Sequence, residues 1–324
     1  MSVKELVKNA LRGRKVSRPP LLPFIGTYLT KVDGNSLENI TKDPGLLHQA
    51  LRNTQQLLNF DGVVMPLDTT LEVEAFGVPL SWESGLPVIK EYLPTTEAPL
   101  YDASTWINQG RLPVFIEAAR RFSQVEGRTI PLIAVVTGPL TIWSKLYNQN
   151  IEDQSFETVK EIPHLEIIVQ SIISLCKEFA QAGVDGIIVN EGNITLPNEY
   201  VSSVASIYKP IFNVINHFNL LDILINPKQD QEAPPLHSVV GVGSGIIQDN
   251  GSTDKIFKGS IGIPLHADFW KEGEDEGLIH RFVSNFKSKG AFLTTASPLN
   301  QEDVNLFDLQ DNIEKITSEN YWRS

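Results

Sequence analysis

The sequence lacks paired cysteines and long apolar runs, on which several classes of protein depend. Cys176 is the single cysteine in 324 residues, which excludes a disulfide within the chain and a zinc site built from two or more thiolates. No run of 18 or more apolar residues occurs, so the sequence predicts no transmembrane helix. The segment MSVKELVKNALRGRK is typical of a charged amphipathic helix rather than a signal peptide. We therefore expect a soluble cytoplasmic protein that makes no membrane contact.

Positive charge is also scarce. The chain has 27 Lys and Arg residues against 39 Asp and Glu residues, which gives a net charge of −12 and an isoelectric point near 5.0. Nucleic-acid binding depends on clustered Lys and Arg, and no basic stripe is present. The composition therefore argues against a nucleic-acid partner, and the partner that we expect is a small-molecule substrate.

Short apolar runs recur along the chain, each bounded by Gly, Pro or Asn and separated by enough residues for a helix. Buried parallel strands have this continuous apolar form. Repeated strand and helix units of this kind predict an α/β protein, and eight of them predict one (β/α)8 TIM barrel domain over residues 1–324. The eight predicted strands are Leu21 to Ile25, Gly62 to Pro66, Pro131 to Val136, Val184 to Val189, Ile223 to Ile225, Ser238 to Val242, Gly259 to Ile263 and Ala291 to Thr295.

Two connections between the predicted strands are informative. Apolar residues at helical spacing over 165–180 predict a helix that ends at Gly183, with Cys176 buried in its apolar face. The connection after the second strand is much longer than a normal crossover. It predicts an irregular loop, WESGLPVIKEYL, followed by a helix around Pro113 to Val125. Long loops at this end of a barrel tend to build or cover sites.

Polar residues that directly follow the predicted strands are the candidates for a site, because a barrel collects its active site at the carboxyl ends of its strands. Carboxylates that share one cavity raise the pKa of at least one of them, which makes it a usable acid or base. The alternative is that these loop carboxylates cap the next helix or face water. The predicted catalytic residues are Asp68, Glu72 and Glu191, and the predicted substrate-binding residues include Tyr28, Glu74, Thr137, Gly138, Asn190, Asn226 and His266.

Two weaker site hypotheses concern an anion and a metal. Gly138 and Pro139 are typical of a helix start, where free amides can hold an anion, although a tight turn needed only for the fold is the favoured interpretation. His266, Asp268 and Glu191 can supply metal ligands if they converge. The alternative for His266 is a simple hydrogen bond in a loop, so no metal is expected.

Several longer segments resemble the superfamily of uroporphyrinogen decarboxylases and corrinoid methyltransferases. FDGVVMPLDTTLEVEAFG is similar to the second strand and loop of the methyltransferase branch. PLIAVVTGPLTIWSKL, AGVDGIIVNEG and GAFLTTASPLNQEDVNL are similar to the third, fourth and last strands. The likeness spans nearly the whole chain in the right order, and it implies a uroporphyrinogen decarboxylase-like barrel.

The resemblance implies two chemistries, and the chain departs from both. The decarboxylases hold a polycarboxylate with an Arg-rich motif after the first strand, whereas this chain has no Arg between Arg18 and Arg52. Asp68 matches their essential aspartate, and Lys145, a further predicted substrate-binding residue, replaces a site tyrosine. The methyltransferases hold zinc with a His-x-Cys pair and a second Cys, and the matching segments ILIN and TTASP have neither.

Three functional hypotheses remain open. The first is an enzyme that moves a methyl group between a small substrate and a corrinoid, which a partner protein would supply because the chain has no D-x-H-x-x-G motif. Zinc of the usual cysteine type is not expected in it. The second is a decarboxylase, a carbon-carbon lyase in which Asp68 stabilises a cationic intermediate. The third is a degenerate barrel that binds a ligand without chemistry.

Overall fold

The computed structural model describes residues 1–65, 68–154, 161–229, 234–246, 259–272, 290–299 and 304–322. The helices are α1 Val3–Leu11, α2 Tyr28–Asp33, α3 Leu37–Lys42, α4 Pro44–Leu58, α5 Leu71–Ala75, α6 Ala103–Trp106, α7 Leu112–Val125, α8 Pro139–Tyr147, α9 Leu165–Ala182, α10 Val201–His217, α11 Leu236–Val240, α12 Ala267–Glu272 and α13 Leu306–Thr317. The strands are β1 Val63–Val64, β2 Leu80–Glu83, β3 Leu86–Ile89, β4 Leu132–Thr137, β5 Gly186–Asn190, β6 Leu221–Ile225, β7 Ser244–Ile246, β8 Ser260–Leu265 and β9 Ala291–Thr295.

The central element is a parallel sheet in the order β1-β4-β5-β6-β7-β8-β9, with helices between successive strands. It confirms the α/β class and the parallel sheet. The described residues form seven strands in this sheet rather than eight, because the first predicted strand makes only one bridge, from Leu21 to Leu293. Leu22 N donates to Leu293 O at 2.8 Å, and Asp61 N donates to Leu21 O at 3.1 Å. The segment around Leu21 therefore contacts both outer strands of the sheet without forming a regular strand.

The prediction of a strand over Ser238 to Val242 was wrong. This run lies in α11 and in the turn at Gly241, whose φ of 82° ends the helix, and the strand begins two residues later, at Ser244. A short apolar run has the same periodicity in a buried helix turn as in a buried strand, so the pattern could not separate them.

The prediction of an irregular loop over WESGLPVIKEYL was also wrong, because β2 and β3 form an antiparallel hairpin there. Ser84 and Gly85 connect the two strands with positive φ angles of 50° and 79°, which suit the right-handed twist of a two-residue hairpin turn. The hairpin follows α5 along the chain.

The helix predictions over the described residues are confirmed. Helix α9 ends at Gly183, whose φ is 92°, and Cys176 is fully buried in it. Helix α7 covers the predicted 113–125 segment, and α1 begins with a capping box between Ser2 and Glu5. Among the described residues, no helix is both long and apolar enough to cross a membrane.

Apolar residues pack on both faces of the sheet. Alternate residues of β4 show this, because Ile133 and Val135 belong to one buried cluster, whereas Ala134 and Val136 belong to another. The larger cluster joins the sheet to the surrounding helices, and the smaller one lies on its inner face. Helix α1 packs Val7 against this inner cluster. The polar residues at the carboxyl ends of the strands therefore lie at the edge of a continuous apolar layer.

Candidate functional site

Asp68 follows the second predicted strand and is held by an arginine that no sequence pattern predicted as its partner. Arg111, the N-cap residue of α7, donates from Nη1 to Asp68 Oδ2 at 2.7 Å. Asp68 Oδ1 accepts from the amide and the hydroxyl of Thr70 at 2.9 and 2.6 Å. Both carboxylate oxygens are thus engaged by neighbours from the same loop and from α7.

Glu74 shares the same arginine. Arg111 Nε donates to Glu74 Oε2 at 2.6 Å, and the guanidinium carbon lies 5.3 Å from the centre of the Trp82 ring. Only 4% of the Arg111 side chain is exposed. Burial lowers the pKa of Arg111, but the carboxylates of Asp68 and Glu74 outweigh this effect and raise it. One buried cation therefore neutralises much of the charge of the two loop carboxylates.

Glu72 is a second, separate carboxyl group beneath this loop. Its Oε1 accepts from the Thr137 amide at 2.8 Å, and its Oε2 accepts from the Thr137 hydroxyl at 2.7 Å. The residue is 1% exposed, and burial raises the pKa of Glu72 from 4.5 to about 7, against the hydrogen bonds from Thr137. These contacts join α5 to the carboxyl end of β4, which favours a positioning role for Glu72.

The raised pKa of Glu72 predicts a pH-dependent stability. The unfolded chain loses the Glu72 proton near pH 4.5, whereas the folded chain keeps it to about pH 7, so stability falls as pH rises across this window. The loss from this group is about 3 kcal/mol. Urea unfolding from pH 4.5 to 7 should show a steeper decline for the natural chain than for Glu72→Gln. Parallel pH profiles for the two proteins would contradict the assignment.

Glu191 is fully buried beneath the start of α8. Its Oε1 accepts from the Leu140 amide at 2.9 Å and from the Tyr208 hydroxyl at 2.6 Å. Its Oε2 accepts from the Thr141 amide at 2.9 Å and from the Thr141 hydroxyl at 2.5 Å. Burial raises the pKa of Glu191, while the bonds from Thr141 and Tyr208 oppose the change. The free amides of the helix start therefore bind a carboxylate of the chain itself.

Gly138 makes this arrangement possible. A Cβ atom built on Gly138 would lie 2.1 Å from Glu191 Cδ, so a larger residue would displace the carboxylate. The sequence nominated Gly138 as a substrate contact, whereas the close approach explains it through Glu191. Pro139 is the first residue of α8, as the sequence predicted.

Asn190 and Tyr28 carry buried polar atoms that lack partners among the described residues. Asn190 Oδ1 accepts from the Gly192 amide at 3.0 Å, but its Nδ2 has no hydrogen-bond partner there. The hydroxyl of Tyr28 is likewise buried and unsatisfied, and burial raises the pKa of Tyr28. Asn190 lies two residues after Ile188, so it is on the same inner face of the sheet. An unsatisfied donor at this point is available to a ligand oxygen.

The side chain of Asn226 is hydrogen-bonded to His237 rather than open to a cavity. Its Oδ1 accepts from the His237 amide at 2.9 Å, its Nδ2 lies 2.9 Å from His237 Nδ1, and Nδ2 also donates to Ile246 O at 3.1 Å. Burial lowers the pKa of His237 to about 4, so the imidazole is neutral at physiological pH. A Cβ on Gly245 would lie 2.4 Å from this ring. Asn226 therefore serves the packing of His237 between β6 and β7.

Lys145 lines a cavity of about 210 Å³ beside α8. The cavity is bounded by Ile89, Tyr92, Thr141, Ser144, Lys145, Asn148, Gln149, Asn150, Asn193 and Ile194. Burial lowers the pKa of Lys145, and the charge of Asp68 opposes that change. Lys145 and Asp68 are thus near enough for their charges to interact.

The metal candidates form no ligand group among the side chains that the structure describes. His266 is exposed directly after β8, Asp268 lies in α12 with its side chain outside the described residues, and Glu191 uses both oxygens elsewhere. Within the described ranges, no three His, Cys, Asp or Glu side chains converge as metal ligands. The structure thus joins Asp68 and Glu74 through Arg111 and places His266 directly after β8.

The parallel sheet with polar residues at its carboxyl edge defines an α/β fold of the kind that places its site at the strand ends. The chain belongs to the uroporphyrinogen decarboxylase family, because the sequence model of that family matches residues 2–232. It is 23% identical over 193 residues to the methylcobamide:CoM methyltransferase MtbA of Methanosarcina acetivorans, an alignment that spans 58% of this chain and 55% of that protein. The chain therefore matches about half the length of this relative.

A solved structure has the same fold over its whole length. The methyltransferase from Methanosarcina mazei superposes with a TM-score of 0.79 and 16% sequence identity, and the match covers 100% of both chains. At this identity the likeness establishes the fold alone. The match to the family and the similarity to MtbA support the methyltransferase-like resemblance at the level of the superfamily.

Proposed function

We propose that the protein transfers a methyl group between a small substrate and a corrinoid carried by a separate protein. The pairing of Asp68 with Arg111 favours methyl transfer over decarboxylation, the other activity of the superfamily. A decarboxylase of this family would need Asp68 as an uncompensated anion beside a cationic intermediate. Arg111 already compensates the charge of Asp68 in an ion pair, with 2.7 Å between Arg111 Nη1 and Asp68 Oδ2. The similarity to a methylcobamide-dependent methyltransferase supports the remaining chemistry.

A zinc ion of the type implied by the methyltransferase resemblance does not fit the described residues. Asn226 is fully engaged with His237, and burial raises the pKa of Cys176, the only thiol of the chain, to about 12. A thiol with so high a pKa is a poor metal ligand. The proposed transfer therefore uses no zinc of this type, and substrate binding falls to the polar groups around Lys145.

The first test of the proposal is methyl transfer with free methylcobalamin as the methyl donor. A thiol such as 2-mercaptoethanesulfonate, after losing its proton, would take the methyl group and leave the electron pair on cobalt as cob(I)alamin. Under anaerobic conditions the visible spectrum should change with time only when the protein is present. A panel of thiol and amine acceptors, and of methylated donors for the reverse reaction, covers the unknown substrate. No change of the cobalt spectrum with any of them would sink the proposal.

A barrel that binds a ligand without chemistry is the second candidate. It is favoured by the separation of the carboxylates, because Glu191 is enclosed beneath α8 while Asp68 is paired with Arg111. This alternative predicts ligand-dependent thermal stabilisation without methyl transfer. A methyltransferase and a barrel that only binds a ligand should both show ligand binding. Only the methyltransferase should change the cobalt spectrum.

We also infer that residues 1–324 form one barrel domain, in which the segment around Leu21 takes the place of the eighth strand. Two observations support this arrangement. Leu21 contacts β9 through its bridge to Leu293 and accepts a hydrogen bond from Asp61, next to β1. Leu22 and Phe24 also belong to the inner apolar cluster together with the other strands.

A further inference from the structure

The cavity beside α8 has an unusual charge for this protein. The chain as a whole carries a net charge of −12, yet Lys145 is the one charged residue among the described residues that line the cavity. The other polar groups there are hydroxyls and carboxamides, which include Ser144, Asn148 and Asn193. The cavity therefore offers donors and a cation without an anion in its own wall.

No described residue pairs with the ammonium group of Lys145. Its ammonium group makes no hydrogen bond and no ion pair with the residues that the structure describes, although the side chain is half-buried. The nearby carboxylate that interacts with it, Asp68, is already bound by Arg111 at 2.7 Å. A partly desolvated ammonium group without a partner is unfavourable, and an anion in the cavity would relieve that cost.

The size and lining of the cavity define the class of anion. A volume of about 210 Å³ corresponds to roughly seven water molecules at about 30 Å³ each, which suits a small organic molecule. Ile89, Tyr92 and Ile194 supply an apolar part of the wall that a short carbon chain can cover. A small anion with one charged end and one apolar end matches both parts of the lining.

We propose that this cavity binds the carboxylate or sulfonate end of a short-chain substrate, with Lys145 as its anchor and the amide and hydroxyl groups of the lining as additional donors. The inference rests on the proposed function in treating the cavity as the substrate site of the methyl transfer. Lys145 would hold the non-reacting end of the substrate. The reacting end would extend towards the strand ends, where Asn190 presents its unsatisfied Nδ2.

Calorimetric titration of the purified protein with propionate, methanesulfonate and propionamide tests the proposal. At least one of the two anions should bind, about tenfold or more tightly than the neutral amide, because a charge-assisted hydrogen bond is stronger than a neutral one. Lys145→Met should weaken anion binding by about the same factor, and Lys145→Arg should retain part of it. Lys177→Met, at an exposed lysine of α9, is the matched control and should bind as the natural chain does.

Three results would overturn the proposal: no binding of either anion, propionamide binding as tightly as the anions, or unchanged binding by Lys145→Met. Should the methionine variant not fold, as judged by its circular dichroism, Lys145→Gln takes its place. The titration needs no corrinoid. Lysine-dependent anion binding without any methyl transfer would therefore refute the proposed function and leave the anion site standing, and the reverse outcome would refute only the anion site.

Discussion

Replacing Arg111 with methionine is expected to lower the free energy of unfolding by about 3 to 5 kcal/mol. The substitution keeps the volume of the side chain approximately but leaves Asp68 and Glu74 without their shared cation, in a place where only 12% and 24% of their side chains are exposed. Uncompensated charge in such an environment is strongly destabilising. Urea denaturation at neutral pH measures the effect.

The matched control for this experiment is Arg120→Met, which removes an ion pair with Glu117 on the same helix. Both partners there are more than a third exposed, so the expected loss is about 1 kcal/mol or less. Adding Asp68→Asn and Glu74→Gln to Arg111→Met should restore part of the stability, because the unpaired charges disappear. A loss for Arg111→Met no larger than that for Arg120→Met would show that the buried pairs do not have the assigned role.

Replacing Glu191 with alanine is expected to cost about 3 to 5 kcal/mol as well, for a different reason. Two amides at the start of α8 and two hydroxyls lose their acceptor in a fully buried place. The variant should also weaken ligand binding at Lys145, because α8 carries that lysine about one turn after Thr141. Urea denaturation and the anion titration report the two effects separately.

Glu191→Gln distinguishes loss of the carboxylate from loss of the side chain. Glutamine keeps one acceptor oxygen, but its amide group faces the donors of Thr141 or Tyr208, so its stability should lie between those of the natural chain and Glu191→Ala. Glu314→Ala, at an exposed position of α13, should change stability by about 0.5 kcal/mol or less. A neutral outcome for Glu191→Ala would refute the capping role.

The strand-end rule located the candidate residues but not their partners. Asp68, Glu191 and Asn226 are at the carboxyl edge because parallel strands bring their ends together, and this follows from apolar runs alone. Their partners come from other elements, since Arg111 begins a helix 43 residues after Asp68 and Tyr208 lies 17 residues after Glu191. No local pattern marks such partners. The sequence therefore indicated carboxylates for chemistry where the structure shows several of them holding helices in place.

Errors in the predicted elements have a similar cause. The run SVVGV at 238–242 lacks the length that separates a strand from a helix turn, and tertiary packing decided in favour of α11. In the long loop, Ser84 and Gly85 adopt the positive φ angles of a hairpin turn. A serine does not indicate that conformation in a sequence. A longer pattern gave a correct prediction, because the helical spacing of apolar residues over 165–180 corresponds to the 18-residue helix α9.

The contact between Leu21 and Leu293 has a consequence for how the molecule reaches its native state. The paired segments are about 270 residues apart in the chain, so this contact cannot form until Leu293 has left the ribosome. Until then the segment around Leu21 lacks its partner in β9 and presents an unpaired edge, which is the kind of surface that attracts other chains. Contacts of such high sequence separation also slow folding, because the loop must close before the contact stabilises anything. We therefore expect refolding to be slow and to depend on protein concentration through aggregation.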